Sequence, residues 1–277
     1  MNQKGAISPL LRAVGLFIFF LFAVFPIYWM IVTSLTPAQD LFAWPLLYFP
    51  SAPTMDNYAT ALFLTDIPIF FTNSLMVASL ASACTLTVSV LGGYALARYR
   101  FRGRKITLLM FFATQMMPVV VLIVPLFIIF RILGLLNTLY SLMIIYTVLN
   151  IPFCTLMMQG FFRGVPSELE EAAMVDGCNR MGAILRVAIP IARPGIFATF
   201  LFAFISAWNE LLFALMFLNS ESTFTLPISL YNLIGKYDIQ WGRMMAGATL
   251  ALVPALVVFA FVQRYMVRGL ALGGVKG

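Results

Sequence analysis

The chain has 277 residues, of which 62% are hydrophobic and 10% are charged, and its mean hydropathy is +0.98. Soluble domains carry about 25% charged residues, so this composition excludes a water-soluble globule and indicates a chain whose solvent is lipid. The formal net charge of +7 would fit nucleic acid or a membrane surface, and the positions of the basic residues decide between them.

Six apolar segments are each long enough to cross about 30 Å of hydrocarbon as a helix. The predicted spans cover residues 13–36, 70–97, 106–130, 138–160, 194–219 and 244–264. Their apolar runs are continuous, whereas barrel strands alternate polar and apolar residues in segments of about ten. We therefore expect an all-α fold, a polytopic membrane bundle of six transmembrane helices that forms a single domain over residues 1–277.

The basic residues gather on one side of the membrane if the six spans alternate in direction. That side carries Lys4, Arg12, Arg98, Arg100, Arg102, Arg104, Lys105, Arg163, Arg180, Arg186, Arg193, Arg264, Arg268 and Lys276, whereas Arg131, Lys236 and Arg243 fall on the other. The positive-inside rule then predicts cytoplasmic N- and C-termini. Membrane orientation thus accounts for the net positive charge, and no nucleic-acid partner is needed to explain it.

Two connections differ sharply in charge. Residues 35–68, after the first span, contain Asp40, Asp56 and Asp66 but no basic residue, and we expect them to lie on the outer surface. The segment Arg98–Lys105 contains five basic residues and is predicted as a short inner turn that contacts anionic membrane lipid.

Buried polar residues in the spans are candidates for a pathway through the membrane. Gln115 in the third span and Asn150 in the fourth could contact a solute, but hydrogen bonding between helices is the favoured explanation for each.

The inner segment 163–190 has the pattern of two short helices. Ser167 and Glu170 have the spacing of a capping box, which predicts a first helix from Glu168 to about Asp176. Gly177 stands where a left-handed residue ends a helix.

A second helix is predicted to begin at Asn179, its N-cap, and to stop at Pro190. Its apolar residues Met181, Ile184, Leu185 and Ala188 share one face. Such a face calls for a protein partner. A helix lying on lipid is the alternative, but lipid favours Lys and Arg beside the apolar face, and this segment places acidic residues there.

The same segment resembles the EAA loop of bacterial ABC-importer permeases. The match rests on Glu171-Ala172-Ala173, on Asp176-Gly177 and on Val187-x-Ile189-Pro190, where Val187 and Ile189 replace the usual residues but keep their apolar bulk. The resemblance implies that this cytoplasmic loop couples the chain to an ATPase. The implied coupling residues are Glu170, Glu171, Ala172, Ala173, Asp176, Gly177, Met181, Ile184, Leu185 and Pro190.

Further motifs make nearly the whole chain similar to the maltose-type (MalG-like) carbohydrate permeases, among the inner-membrane components of binding-protein-dependent transport. They are Asn73-Ser74, Gly92-Gly93-Tyr94-Ala95, Pro118 with Pro125-Leu126, Gly134-Leu135-Leu136-Asn137-Thr138, Trp208-Asn209-Glu210, Thr225-Leu226-Pro227 and Gly273-Gly274-Val275-Lys276-Gly277. The resemblance implies a bacterial cytoplasmic membrane protein that pairs with a second, homologous permease. Two ATPase subunits and an extracytoplasmic solute-binding protein would complete the importer.

Glu210 is the one acidic residue inside a predicted span, where a charge requires water, a partner or a proton. With Trp208 and Asn209 it offers an aromatic face, an amide and a carboxyl group, which suit a sugar. Structural bonding between helices explains the same residues equally well.

Other function classes fit less well. The chain has no His, its three Cys residues lack disulfide or metal-ligand spacing, and no G-x-x-x-x-G-K-[ST] loop is present. We therefore expect neither an enzyme nor a metal or cofactor site, with ATP bound by the partner. Among transporters, import of a neutral sugar or oligosaccharide is the expected function. Import of another small solute such as glycerol phosphate, or secondary transport, is the alternative.

Overall fold

The computed structural model describes residues 9–45, 47–63, 65–234 and 239–273, with Pro9 and residues 266–273 by their backbone alone. Lys4, Lys236, Lys276 and residues 274–277, which entered the sequence predictions, lie outside the described residues, as does the side chain of Arg268. Within the described ranges the regular structure is helical, apart from an isolated antiparallel bridge between Ile234 and Ile239.

The helices follow one another in this order. They are α1 (Pro9–Leu35), α2 (Asp56–Phe63), α3 (Ile67–Arg98), α4 (Arg104–Met116), α5 (Val119–Ile132), α6 (Leu139–Arg163), α7 (Ser167–Val175), α8 (Arg180–Ala183), a π-helical turn (Ile184–Ala188), α9 (Ile189–Ile191), α10 (Arg193–Trp208), α11 (Leu212–Phe217), α12 (Leu226–Asn232) and α13 (Trp241–Gly273). Short 3₁₀ turns lie at Ala38–Asp40 and Glu221–Thr223.

Four of the described helices are long and apolar enough to cross a membrane: α1, α3, α6 and α13. Six spans result if two bent pairs each count as one, namely α4 with α5, and the segment Arg180–Ile191 with α10. The all-α membrane fold is therefore confirmed. The single domain over residues 1–277 stays a prediction.

The predicted third span, residues 106–130, is not one continuous helix. Its two parts, α4 and α5, meet at an angle of 102°. Met117 has extended backbone angles (φ −76°, ψ 128°), and Pro118 is the N-cap residue of the second helix. A proline lacks the N–H that would continue the ladder and disfavours helical angles in the residue before it, so the helix breaks there.

The predicted fifth span, residues 194–219, is interrupted as well. Helix α10 ends at Trp208 and α11 begins at Leu212, so Asn209, Glu210 and Leu211 connect two helical pieces. Irregular backbone at membrane depth is tolerated where protein or a water-filled cavity surrounds it.

The chain divides into two compact units. The smaller unit contains the described residues up to 68 together with 230–253. In it, the Asn57 amide donates hydrogen bonds to the carbonyl oxygens of Ser34 (3.0 Å) and Thr36 (3.2 Å). Gly242 lies against the same Asn57, where an added Cβ would come within 2.9 Å of the amide atoms. Asn57 thus ties the end of α1 to the start of α13. Residues 10–27 of α1 are exposed and largely apolar.

The larger unit contains residues 69–229 and the described residues from 254 on. Its centre is the pair α3 and α6, which contact each other through small and hydroxyl-bearing residues, as membrane helices commonly do. Thr147 donates to the Ala81 carbonyl (3.3 Å), Thr155 to Ser89 (3.4 Å) and Gln159 to the Leu96 carbonyl (3.2 Å). Residue numbers rise together along the contact, so the two helices run parallel.

Helix α10 packs against α6 in the opposite direction. Phe153 contacts Phe202 with ring centroids 4.4 Å apart, and Phe161 lies against Gly195. A higher number on one helix therefore meets a lower number on the other. Parallel second and fourth spans and an antiparallel fifth span agree with six spans that alternate in direction.

Candidate functional site: the hairpin and the helix breaks

The hairpin between α6 and α10, residues 164–192, consists of the short helices anticipated from the sequence. Gly177 has φ +92°, in the left-handed region that a glycine adopts without strain. Asn179 caps the second helix, its side-chain oxygen accepting a hydrogen bond from the Gly182 N–H at 2.7 Å. These two features are confirmed.

The predicted capping box at the start of the first helix is wrong. Pro166 is the N-cap residue, Ser167 is already helical, and no side chain caps this end. Glu170 does not reach back to the helix start because its carboxylate is engaged by α3. An ion pair with a distant residue thus replaces the local capping hydrogen bond, which would contribute about 1 kcal/mol.

The second helix does not stop at Pro190. It runs through α8, the π-helical turn and α9 to Ile191, and the chain bends by 73° before α10. The ring of a proline in a regular helix collides with the carbonyl four residues earlier. The residue four positions before Pro190 is Arg186, which belongs to the wider π-helical turn, so the turn accommodates the ring and the helix continues for one more residue.

The predicted apolar face of the second helix is divided between two environments. Ile184 and Ala188 pack into a cluster with Tyr94 of α3 and Phe162 of α6, and Ala188 is fully buried. Met181 and Leu185 are 59% and 56% exposed. The stripe is wider than the surface that α3 and α6 offer, so one row of side chains packs internally and the other remains on the surface.

The exposed surface of the hairpin combines apolar and acidic residues. Of the predicted coupling residues, Glu171, Ala172, Asp176, Gly177, Met181 and Leu185 are exposed, and Ala173 and Pro190 are partly exposed. Met174 and Val175 belong to the same surface, with Val175 87% exposed. The sequence reasoning missed both, although two large apolar residues beside a predicted helix end in a polar loop were the available signal.

Glu170 is buried, 6% exposed, and contacts α3. Its Oε1 accepts hydrogen bonds from Arg98 Nε (2.8 Å) and Nη2 (2.6 Å), and its Oε2 accepts one from the Tyr94 hydroxyl (2.6 Å). Arg98 Nη2 also donates to the Val165 carbonyl at 2.8 Å. We call Tyr94, Arg98 and Glu170 the α3–α7 lock. The sequence analysis missed it because Arg98 was assigned to lipid contact and Glu170 to the helix cap.

A second contact joins the other arm of the hairpin to the end of α3. The guanidinium of Arg180 lies 4.6 Å from the centroid of the Tyr99 ring, within the range of a cation–π interaction. The Tyr99 ring in turn meets the Tyr94 ring edge-on at 6.2 Å. The first helix of the hairpin therefore contacts the last two turns of α3 through Glu170, and the second helix contacts Tyr99, the residue after α3, through Arg180.

The proposed substrate residues of the fifth span have different surroundings. Trp208 is buried, with its ring edge-on to Phe71 (5.7 Å) and stacked on Phe204 (5.8 Å). The Glu210 carboxylate accepts hydrogen bonds from the Phe213 N–H (3.1 Å) and from the Tyr146 hydroxyl (2.7 Å). Glu210 therefore caps α11 and links it to α6.

Asn209, Asn150 and Gln115 occupy three separate environments. Asn209 is exposed at the break before α11. Asn150 is buried and its amide donates to the Tyr146 carbonyl at 2.8 Å, so it joins Glu210 around Tyr146. Gln115 is exposed near the break after α4, and no described hydrogen bond connects it to that group. Within the described ranges no set of three or more Cys, Asp or Glu side chains is placed to hold a metal ion.

Comparison with known proteins places these features in a family. The profile of the family described as "Binding-protein-dependent transport system inner membrane component" matches residues 89–272, more than half of the chain. The match includes the end of α3, the whole hairpin and both helix breaks.

Similar proteins align over nearly their full length. The chain is 40% identical to the sulfoquinovosyl glycerol transport system permease protein SmoH of Agrobacterium fabrum, covering 96% of the chain and 94% of the relative. It is 38% identical to the diacetylchitobiose uptake system permease protein DasC of Streptomyces coelicolor (99% and 98% covered). It is 31% identical to the trehalose/maltose transport system permease protein MalG of Thermococcus litoralis (99% of each).

Among solved structures, the chain resembles a subunit of a bacterial ABC transporter involved in the import of the acidic polysaccharide alginate. The TM-score is 0.80 at 24% sequence identity, covering 96% of this chain and 98% of that chain. This likeness supports the fold.

Proposed function

Because the chain belongs to the family of inner membrane components of binding-protein-dependent transport systems, we propose that it is the permease subunit of an ATP-driven carbohydrate importer. The observation that carries this proposal is the match to SmoH, DasC and MalG over at least 96% of the chain. Each of the solutes in their names contains at least one sugar unit. A carbohydrate is therefore favoured over glycerol phosphate, and the neutrality of the sugar stays a prediction.

The ATPase belongs to a separate subunit, and the exposed surface of the hairpin is the proposed site where it docks. Glu171, Met181 and Leu185 project from a scaffold that α3 and α6 hold from the other side. Exposed apolar side chains on a surface that also carries the carboxylates of Glu171 and Asp176 suit a protein partner better than lipid. Two ATPase subunits, one for each permease of a pair, would complete the assembly.

The proposed orientation places the hairpin and both termini in the cytoplasm and residues 36–66 outside. The five basic residues of Arg98–Lys105 support it, as do the four arginines within and directly beside the hairpin: Arg163, Arg180, Arg186 and Arg193. The parallel packing of α3 with α6 and the antiparallel packing of α6 with α10 are compatible with it. A solute-binding protein would then deliver the sugar to the face opposite the hairpin.

The second permease would cover apolar side chains of α4 and α5. Helix α4 has no buried residue, and Leu109, Met110, Val120 and Val124 are each more than 60% exposed. Lipid can cover part of this surface. A homologous subunit is the proposed partner for the remainder because broken helices require protein or a water-filled cavity around their irregular backbone.

The two helix breaks are the proposed positions of the sugar pathway. Discontinuous helices near the middle of a membrane commonly surround transported solutes. Asn209 and Gln115 present exposed amides beside these breaks. Trp208, Glu210 and Asn150 would support the pathway from behind, since their side chains contact neighbouring helices.

Reconstitution into liposomes tests the proposed function. The chain would be co-purified with its partner permease and ATPase, and uptake of a labelled oligosaccharide measured with the binding protein outside and ATP inside. Uptake should stop when the ATPase is inactivated and should persist when ionophores collapse the proton and sodium gradients. Uptake that follows the gradients and not ATP would instead identify a secondary transporter.

A further inference from the structure

We propose that the α3–α7 lock carries the displacement of the hairpin into helix α3, so that Tyr94, Arg98 and Glu170 are positioning residues for coupling and do not contact the ATPase. The proposal rests on the proposed function, since it requires an ATPase that moves the hairpin. It reassigns Glu170, which the resemblance to the EAA loop had placed among the coupling residues facing the partner.

The lock leaves Glu170 little capacity for another protein. Its side chain is 8% exposed and that of Arg98 is 13% exposed. Three hydrogen bonds from Arg98 and Tyr94 already reach the two carboxylate oxygens, each at 2.8 Å or less. The next residue, Glu171, is exposed. The two neighbouring glutamates therefore have different surroundings: Glu170 contacts α3, and Glu171 lies on the surface.

A charged pair of this geometry transmits force because its partners are hard to separate. The Arg98 guanidinium donates hydrogen bonds to the Glu170 carboxylate through two nitrogens and also donates one to the Val165 carbonyl. It therefore contacts the hairpin at two points. Separating Arg98 from Glu170 would leave a buried charge with few alternative partners. Helix α7 and the end of α3 are thus expected to move together.

The surrounding contacts extend this rigid connection to both arms of the hairpin. Arg180 lies over the Tyr99 ring, and Ala188 and Ala192 are buried with Tyr94 and Phe162 in one apolar cluster. The Leu96 carbonyl of α3 accepts hydrogen bonds from Gln159 of α6 and Arg104 of α4. Displacement of the hairpin would consequently reach α4 and α6 through the last turns of α3.

The ratio of ATP hydrolysed to sugar imported tests the proposal. Glu170→Gln preserves the shape of the side chain and removes its charge. In the reconstituted complex we expect the ATPase to co-purify as in the wild type, sugar uptake to fall at least tenfold, and the ratio of ATP hydrolysed to sugar imported to rise at least fivefold. A purely structural defect would lower hydrolysis and uptake together and leave the ratio unchanged.

A double-mutant cycle tests whether the residues act as a unit. Arg98→Gln should raise the ratio as Glu170→Gln does, and the variant carrying both substitutions should be no worse than either alone. Arg102→Gln, a change to an exposed arginine in the turn after α3, is the matched control and should behave as the wild type.

Three results would overturn the proposal. The first is loss of the ATPase from the Glu170→Gln complex, which would make Glu170 a docking contact. The second is an unchanged ratio of ATP hydrolysed to sugar imported in that variant. The third is that the effects of Glu170→Gln and Arg98→Gln multiply, as independent effects would. Each presupposes ATP-dependent uptake by the wild type, so failure of the lock is distinguishable from failure of the proposed function.

Discussion

Gly93 allows α3 and α6 to approach more closely than a side chain would permit. A Cβ at this position would lie 2.6 Å from the Met158 Cβ and 2.9 Å from the Gln159 backbone nitrogen. Gly93→Ala should therefore force the helices apart and destabilise the protein by about 1–3 kcal/mol, the usual cost of overpacking. The measurement is the midpoint of thermal aggregation of the detergent-solubilised protein.

Gly160→Ala provides the matched control for this substitution. It follows Gln159 directly on α6, but an added Cβ there meets nothing within 4 Å. Alanine is favoured over glycine in a helix by about 1 kcal/mol, so this variant should be as stable as the wild type or more so. Equal destabilisation by both substitutions would contradict the assigned close approach.

Glu210 allows a second prediction at the scale of a single residue. Glu210→Ala removes the cap of α11 and leaves the buried Tyr146 hydroxyl without its acceptor, which together should cost about 2–4 kcal/mol. Glu210→Gln retains a carbonyl oxygen that can accept from Tyr146 and should be far milder. Stability of the two purified variants gives the comparison.

Uptake kinetics of Glu210→Gln separate the two explanations that the sequence left open. A structural carboxylate predicts an unchanged KM for the sugar. A substantially raised KM in a stable variant would show that Glu210 contacts the solute.

The division of the hairpin's apolar stripe yields a prediction at the scale of an element. Leu185→Asp changes an exposed side chain, so the permease should fold normally and lose its ATPase during purification. Ile184→Asp places a carboxylate against the cluster of Tyr94 and Phe162, so the permease itself should be destabilised by several kcal/mol. Retention of the ATPase by a folded Leu185→Asp variant would argue against docking at this surface.

Hydropathy predicted where the long helices lie but not where two of them break. Pro26, Pro125, Pro152 and Pro254 stand inside continuous helices, whereas Pro118 stands at a bend of 102°. Whether a proline breaks a helix depends on neighbouring groups that can satisfy the freed carbonyl, and these come from other parts of the chain.

In the hairpin, too, the features that depend on adjacent residues were predictable from the sequence, and the feature that depends on a distant residue was not. Gly177 and Asn179 behave as their local sequence predicts, because a left-handed residue and a side-chain cap depend on adjacent residues. Glu170 does not, since its partner Arg98 is 72 residues away. The α3–α7 lock could not be inferred from spacing along one segment.

The orientation of the whole molecule can be tested by chemical labelling. Val175 and Trp44 are 87% and 92% exposed, on the hairpin and on the segment after α1. In a variant with Cys84, Cys154 and Cys178 replaced by serine, Trp44→Cys should react in intact cells with a membrane-impermeant maleimide. Val175→Cys should react only after the membrane is opened. The reverse pattern would place the hairpin outside and remove the basis for ATPase docking.

The π-helical turn at Ile184–Ala188 lies between the exposed end of the hairpin and α10. An α-helix advances by about 100° per residue, so deleting one residue from this turn would swing Met181 roughly a quarter of a circle about the helix axis while α10 stayed in place. The number of residues in the turn thus determines the direction in which the exposed surface of the hairpin faces. A deletion of a single residue there would turn that surface away from its partner.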